Sequence, residues 1–373
     1  GLPNVDFYDQ YARFVGSHTV ELTDGTRLQG RQIVVAAGSR AVLPPVPGID
    51  SSKVYTNDNV MRMDELPARM VVIGGGVIAA EFSHVFSAFG TEVTQLNRSS
   101  RLLRGVDEEV VARFEEAASK QWNIVKDASL SEIRENADGS VTVVAKHTTE
   151  NGEELLEIPA DAVLVATGRR PNTDTLNAKN YFDVQDGGQL SVDKYQRVLY
   201  NGAPVPGVYA LGDVSSRYQL KHVANHEARV VQHNLSHPED LHASDHRYVP
   251  AAVFSNPQIA VVGMTEEQAR QAAEREGFEI TVKAQNFGDT AYGWAMEDKV
   301  GLCKLIARKD NGELLGAHLV GEESSVLIQP LLQAMSFGMD ARTLARGQYW
   351  IHPALTEIVE NALLGLEFDE PAN

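Results

Sequence analysis

Three clusters of residues have types and spacings suited to chemistry. The first is Gly74-Gly75-Gly76, set between a β-branched run, Val71-Val72-Ile73, and a helical stretch. In that stretch Ile78, Phe82, Val85, Phe86 and Phe89 recur at spacings of three and four, and Gly90 ends it. Strand, glycine corner and helix in that order are the context that a dinucleotide fingerprint needs. Gly74 permits the tight turn, Gly76 lets backbone amides reach a pyrophosphate, and Ala79 is small enough for the helix to lie close to the sheet. The helix N-terminus then offers unpaired N–H groups and a positive dipole end to the phosphates. The competing reading is a glycine-rich turn in some other α/β protein.

The second cluster selects the nucleotide. The strand expected over 92–96 would need an acid at its end to hold a ribose 2′-hydroxyl. It ends instead in Asn97-Arg98, with Arg101 and Arg104 just beyond. Guanidinium groups match a 2′-phosphate, which a carboxylate would repel, so NADP(H) is expected over NAD(H). The alternative is that these arginines only keep a loop soluble. The third cluster is His352-Pro353 with Glu357. Proline is tolerated in a helix's first turn, so a helix is expected to begin near Pro353 with His352 just outside it. Glu357 would lie about one turn further in, accept a hydrogen bond from the imidazole and raise its basicity, which makes an acid/base pair. On spacing alone, a capping histidine beside an unrelated surface glutamate fits equally. His222 and His226 are four apart without a second ligand pair, and His233, His237, His242 and His246 fall in or near a polar linker, so no metal site is expected.

The elements that must position these groups follow from patterning. Residues 17–48 hold a strand over 19–22, a turn at Asp24-Gly25 and a buried strand over 33–36 that ends in Ala37-Gly38-Ser39-Arg40. Residues 141–172 repeat this with a strand over 141–145, a turn at Asn151-Gly152 and a buried strand over 162–166 ending in Thr167-Gly168-Arg169-Arg170. The second unit has the glycine corner ahead of it and the first does not, so the chain is expected to start inside a domain. Helices are expected over 107–119, 221–233, 265–276, 324–337 and 353–364, and a strand over 208–211 ends in Gly212-Asp213. Polar residues 236–246 mark a domain boundary, and antiparallel strands beyond it turn at Asn311-Gly312.

A chain of 373 residues is long enough for two or three domains. Its net charge of −18 and lack of a basic cluster argue against a nucleic-acid surface. No apolar run reaches membrane-spanning length, and no signal peptide heads the sequence. Cys303 is the one cysteine, in a strand-like segment, so no internal disulfide forms and a reducing, cytoplasmic setting is expected.

GGGVIAAE, ATGRRPNT, YALGDV, VFSNPQIAVVGMTE and IHPALTE occur in that order. On these motifs the chain resembles the pyridine nucleotide–disulfide oxidoreductases along its whole length. The resemblance implies an α/β fold of two Rossmann-like dinucleotide-binding domains, the first incomplete, plus a C-terminal α+β dimerisation domain. Residues 1–61 and 183–245 would form an FAD domain, 62–182 an NADP(H) domain and 246–373 the interface domain. It also implies a homodimer that passes hydride from NADPH through FAD to a small-molecule disulfide. A related flavoenzyme with another acceptor, such as a metal ion or a quinone, and a non-catalytic NADP(H)-binding dimer are the alternatives. The family's FAD-binding glycine fingerprint and CxxxxC pair do not occur in this sequence and would be expected ahead of Gly1.

On the family's pattern, His352 with Glu357 protonates the thiolate leaving a disulfide, in the active site of the other subunit. Glu81 would face the nicotinamide and pair with a lysine near the cysteine pair, which this sequence lacks. Val77 stands where some relatives carry an aromatic gate. Asp213 would hydrogen-bond the flavin's ribityl chain, and Gly38 would let the backbone pass close to the same cofactor. The helix N-terminus at Lys221-His222 would stabilise the reduced ring. Gly168 and Arg169 complete the set expected to contact cofactor. Tyr292, Trp294, Tyr349 and Trp350 suit an interface or substrate wall, or a buried core.

Overall fold

The computed structural model describes residues 3–369. They form two compact units. One holds residues through Arg40 together with Arg169–His246; the other holds Ala41–Gly168 together with residues from Arg247 onward.

In the first unit, strands Ala12–Gly16, Thr19–Leu22 and Arg27–Gln29 form an antiparallel meander. Its turn is built on Gly25, whose φ of +86° suits glycine and whose N–H donates to the Leu22 carbonyl. Strand Ile33–Val35 pairs parallel with the end of Ala203–Ala210, which pairs antiparallel with Arg197–Tyr200. Val35, Val198, Val208 and Ala210 bury their side chains with Phe14, Phe182 and Leu190. Helix Lys221–Ser236 lays Val223, Val230 and Val231 on its buried face.

The second unit carries a parallel sheet in the order Val54–Tyr55, Ala162–Val165, Arg69–Ile73, Glu92–Leu96, Asn123–Val125. Strand Arg69–Ile73 is central and almost wholly buried, as its apolar run requires, and it feeds directly into helix Val77–Ala88. A meander of Ala128–Glu135, Val141–Thr149 and Gly152–Ala160 packs beside this sheet. Further on, an antiparallel sheet orders Ala251–Val253, Gln258–Gly263, Leu314–Gly321, Leu302–Arg308 and Ile280–Asn286. Helices Glu266–Glu276, Gln329–Phe337, Ala341–Arg346 and Glu357–Leu364 accompany it. Cys303 lies buried in its core.

Several boundaries differ from the sequence reading. Residues 41–61 fold with the parallel sheet rather than with the first unit, because Val54 and Tyr55 add an edge strand beside Val163 and Leu164. Residues 169–182 fold with the first unit, where Ala178 and Phe182 join Phe14 in its core. The helix expected over 324–337 is two, Ser324–Leu327 and Gln329–Phe337. Pro330 lacks an N–H and fits the first turn of the second helix. The last helix starts at Glu357, not Pro353, because residues 354–359 wind more tightly: Glu357, Ile358 and Val359 each donate to the carbonyl three residues back. Helix Ala341–Arg346, capped by the Asp340 carboxylate, had no strong periodic signal. Among the described residues, no helix is long and apolar enough to cross a membrane.

Candidate active site and cofactor cradles

The glycine corner has the geometry of a phosphate cradle. Gly74 takes a φ of +143°, and a Cβ there would stand 2.3 Å from the Ala166 carbonyl oxygen. At Gly75 a Cβ would meet the Asn97 side chain at 2.3 Å. At Gly76, the N-cap, it would meet nothing within 4 Å, and no side chain caps the helix. Open space therefore lies in front of an uncapped helix N-terminus at the end of a buried parallel strand. Ala79 is fully buried against the sheet.

Arg98 and Arg104 are exposed beyond strand Glu92–Leu96. Arg104 Nε donates to Ser99 Oγ at 3.1 Å, and Arg101 donates to the Arg104 and Val106 carbonyls at 3.0 and 3.2 Å. Asn97 is buried, and its amide donates to the Ser99 and Arg101 carbonyls at 2.7 and 2.9 Å. It shapes the arginine loop from beneath and lies against Gly75. Gly168 takes a φ of +146° at the end of strand Ala162–Val165, with open space where its Cβ would be. Glu81, one turn into the fingerprint helix, accepts the Phe254 N–H at 2.9 Å. Burial pushes its carboxyl above the usual range, and that backbone bond only partly offsets the effect. Among the described residues it has no ion-pair partner.

A second cradle lies in the first unit. Gly38, at φ +66°, follows strand Ile33–Val35, and open space surrounds its would-be Cβ. Ser39 Oγ donates to Asp213 Oδ2 at 2.7 Å and accepts from Arg169 Nε at 2.8 Å, while Arg169 Nη2 donates to the Ser39 carbonyl. Arg169 thus props the turn that presents Asp213. Lys221 and His222 begin a helix of 16 residues whose N-terminus also has no side-chain cap. Sequence reasoning missed Glu227, a buried carboxylate on that helix. It accepts the Gly212 N–H at 2.7 Å and takes His246 Nε2 at 3.0 Å, so it holds the turn beside Asp213. Its one signal was a charged residue in register with apolar Val223, Val230 and Val231.

The contact expected between His352 and Glu357 is formed. His352 Nδ1 lies 2.8 Å from Glu357 Oε1, and Glu357 Oε2 accepts the Ala354 N–H at 3.3 Å. The His352 contact, aided by that N–H, holds the Glu357 carboxyl below the usual range. The imidazole is 68% exposed while Glu357 is only 18% exposed, so a sheltered carboxylate aims an open ring. Among the described residues, no hydrogen bond or ion pair joins this pair to the fingerprint. Tyr349 and Trp294 are exposed, and Trp350 packs on the core and donates to the Ala345 carbonyl.

Comparison with known proteins shows the family of the chain. Residues 3–228 match the family described as "Pyridine nucleotide-disulphide oxidoreductase", and residues 249–363 match its "dimerisation domain". The chain is 49% identical to the mycothione reductase of Mycobacterium tuberculosis strain H37Rv, over 98% of its own length and 78% of that protein's. It is 30% identical to a chloroplastic dihydrolipoyl dehydrogenase of Arabidopsis thaliana, covering 99% of this chain and 65% of that one. The HOCl-induced flavoprotein disulfide reductase RclA of Escherichia coli superposes with a TM-score of 0.84 at 28% identity, over 97% of this chain and 80% of that one.

The chain belongs to the pyridine nucleotide–disulfide oxidoreductase family. It is a disulfide oxidoreductase, with FAD and NADP(H) as cofactors. The residues present fit both groups. The space before Gly76 and the nearby guanidiniums suit a phosphorylated dinucleotide, and the uncapped helix at Lys221 with Asp213 suits a hydroxylated, electron-accepting one.

Proposed function

We propose that this chain acts as a homodimer that reduces mycothiol disulfide with electrons from NADPH, in the cytoplasm. The likeness to a mycothione reductase at 49% identity supports the substrate, and the dimerisation-domain match supports the assembly. The contact between His352 and Glu357 carries the acid/base assignment. Asp213 and the N-terminus of helix Lys221–Ser236 would hold FAD, which would supply the two-electron relay between NADPH and sulfur.

The chain's residues supply the rest. Backbone N–H groups at Gly76–Ala79 bind the pyrophosphate, and Arg98 and Arg104 select a 2′-phosphate. A carboxylate only accepts, so His352 Nδ1 carries the proton toward Glu357 and Nε2 is the atom that meets the substrate. There it protonates the thiolate that leaves as the substrate disulfide is attacked, and the resulting thiol is no longer the nucleophile that reverses the step. Reduction of one disulfide to two thiols consumes one electron pair and two protons, and His352 delivers the first of these. Cys303 cannot be the attacking group: it is fully buried, and burial pushes its thiol far above the usual range. The high exposure of His352 suits a site completed by a second subunit.

A turnover screen tests the substrate. Mycothiol disulfide, glutathione disulfide and lipoamide are each offered with NADPH and with NADH. The proposal expects mycothiol disulfide with NADPH to give the highest kcat/KM. A clear preference for lipoamide or for NADH overturns it.

A further inference from the structure

The fold gathers side chains that the sequence scatters through a polar linker. His233 lies in the last turn of helix Lys221–Ser236, and Asp240 and His242 follow in the loop beyond it. Each offers one ligand atom, and these atoms all lie within 4.8 Å of one another. The His233 and His242 rings stack at 3.5 Å between centroids, 10° from parallel, and His237 stacks on His233 at 4.6 Å.

The cluster is built rather than loose. Asn234, fully buried, donates to the His242 carbonyl at 2.9 Å and to the Tyr195 carbonyl at 3.0 Å, and accepts the His242 N–H at 2.7 Å. That clamp fixes the His242 backbone beside His233. The Asp240 N–H donates to the His237 carbonyl at 3.0 Å, and Ser244 N–H donates to Lys194 at 2.8 Å. His233 Nε2 sits 2.8 Å from the Asp240 carbonyl oxygen. A carbonyl only accepts, so Nε2 carries the proton and Nδ1 keeps its lone pair. A histidine oriented in this way by a backbone carbonyl is the usual supporting arrangement behind a metal-binding imidazole.

We propose that His233, Asp240 and His242 form a binding site for a divalent transition metal, with Zn²⁺ as the fitting ion. Two imidazole nitrogens and one carboxylate oxygen are a borderline donor set that suits Zn²⁺ and excludes Mg²⁺. Ligand atoms around tetrahedral zinc stand about 3.4 Å apart, which follows from bonds of about 2.0–2.2 Å. Asp240 and His242 are exposed, so their side chains have room to turn from the present spread, His242 leaving its stack on His233, toward that spacing. The ion would staple the C-terminal end of the helix to the segment that leads out at His246, so its binding energy adds to stability. The site lies apart from Asp213 and the cofactor cradle in the bonds described above, and it does not rest on the reductase reading.

The test is calorimetric titration of Zn²⁺ into the flavin-bound protein, stripped with chelator and kept oxidised so that thiols do not compete. The expected result is saturable binding, weakened roughly tenfold or more by His242→Ala and by Asp240→Asn, each of which keeps the Asn234 clamp and the Asp240 carbonyl. Zn²⁺ should also raise the unfolding temperature of the unmodified protein and not that of the variants, while flavin absorbance stays the same in all three. Co²⁺ should show visible d–d bands that His242→Ala abolishes. Absence of saturable binding, or binding as strong in both variants as in the unmodified protein, overturns the proposal.

Discussion

Replacing Lys304 by methionine should cost more stability than removing any exposed ion pair in this protein. Lys304 Nζ lies 2.9 Å from Asp107, 2.7 Å from Glu266 and 3.2 Å from Glu109, and its side chain is 6% exposed against 3% for Asp107. Removal of one partner from a buried pair leaves an uncompensated charge and costs about 3–5 kcal/mol. Glu109, 43% exposed, adds no more than about 1 kcal/mol. Methionine keeps most of the stem's volume, so little of the loss is cavity. For a chain of this length the unfolding midpoint should fall by about 5 °C.

The pH dependence has a definite sign. Burial raises the Asp107 and Glu266 carboxyls, but the Lys304 ammonium, joined by the Glu266 N–H at Asp107 and by Arg270 at Glu266, outweighs it, so both end below their ordinary values. Their contribution is present above the unfolded carboxylate range and is lost as pH falls through the depressed folded values. For Lys304, burial lowers and the carboxylates raise, and the net is upward, so its contribution persists up to its ordinary value of 10.5 and beyond. The difference between Lys304→Met and the parent should therefore be full at neutral pH and shrink in acid. Asp107 also caps helix Glu108–Ala118 and accepts the Glu266 N–H at 3.1 Å, just after the arginine loop, so NADPH affinity should weaken as well. Thermal denaturation at neutral pH and in acid checks both points. A midpoint shift that is negligible, or that is the same at both pH values, refutes the reasoning.

Arg98→Glu should weaken NADPH binding roughly tenfold to a hundredfold, the worth of a charge-assisted contact, and leave NADH binding much less affected; nucleotide titrations measure both. Gly74→Ala forces a Cβ to 2.3 Å from the Ala166 carbonyl at a φ of +143°, so NADPH binding should be lost while flavin content holds. Glu81 is pushed up by burial, so its ionisation costs stability as pH rises above the carboxylate range. Glu81→Gln, which can still accept the Phe254 N–H, should raise the unfolding midpoint at neutral pH and leave it unchanged in acid, with slower flavin reduction by NADPH as the functional cost.

The glycine corner was legible because each requirement there is local: a positive φ at Gly74 and a bare N-cap at Gly76 are properties of residue type. The His352–Glu357 contact was legible for a similar reason, since five residues separate the partners. The start of that last helix was not, because hydrogen bonds to the carbonyl three residues back, rather than proline's preference, set its first turn. The bonds by which Asn97 supports the arginine loop were not legible, because nothing in a sequence says which carbonyls a buried amide will meet. Lys304 was hidden inside a strand buried on both faces, and its partners come from residues far away in the chain. The edge strand Val54–Tyr55 is too short to show a period, and only its pairing with Val163 and Leu164 assigns it to the parallel sheet. The histidines after 233 read as linker because their convergence depends on Asn234, whose three bonds span 39 and 8 positions.

The central claim is that His352 serves sulfur chemistry and not hydride delivery. Rapid-mixing measurements on turnover-competent enzyme separate the two: flavin bleaching by NADPH, and oxidation of the reduced enzyme by mycothiol disulfide. For His352→Ala the account predicts flavin reduction at the parental rate and disulfide reduction slowed by about 10²–10⁴-fold. Equal slowing of both half-reactions, or no slowing of the second, would contradict it.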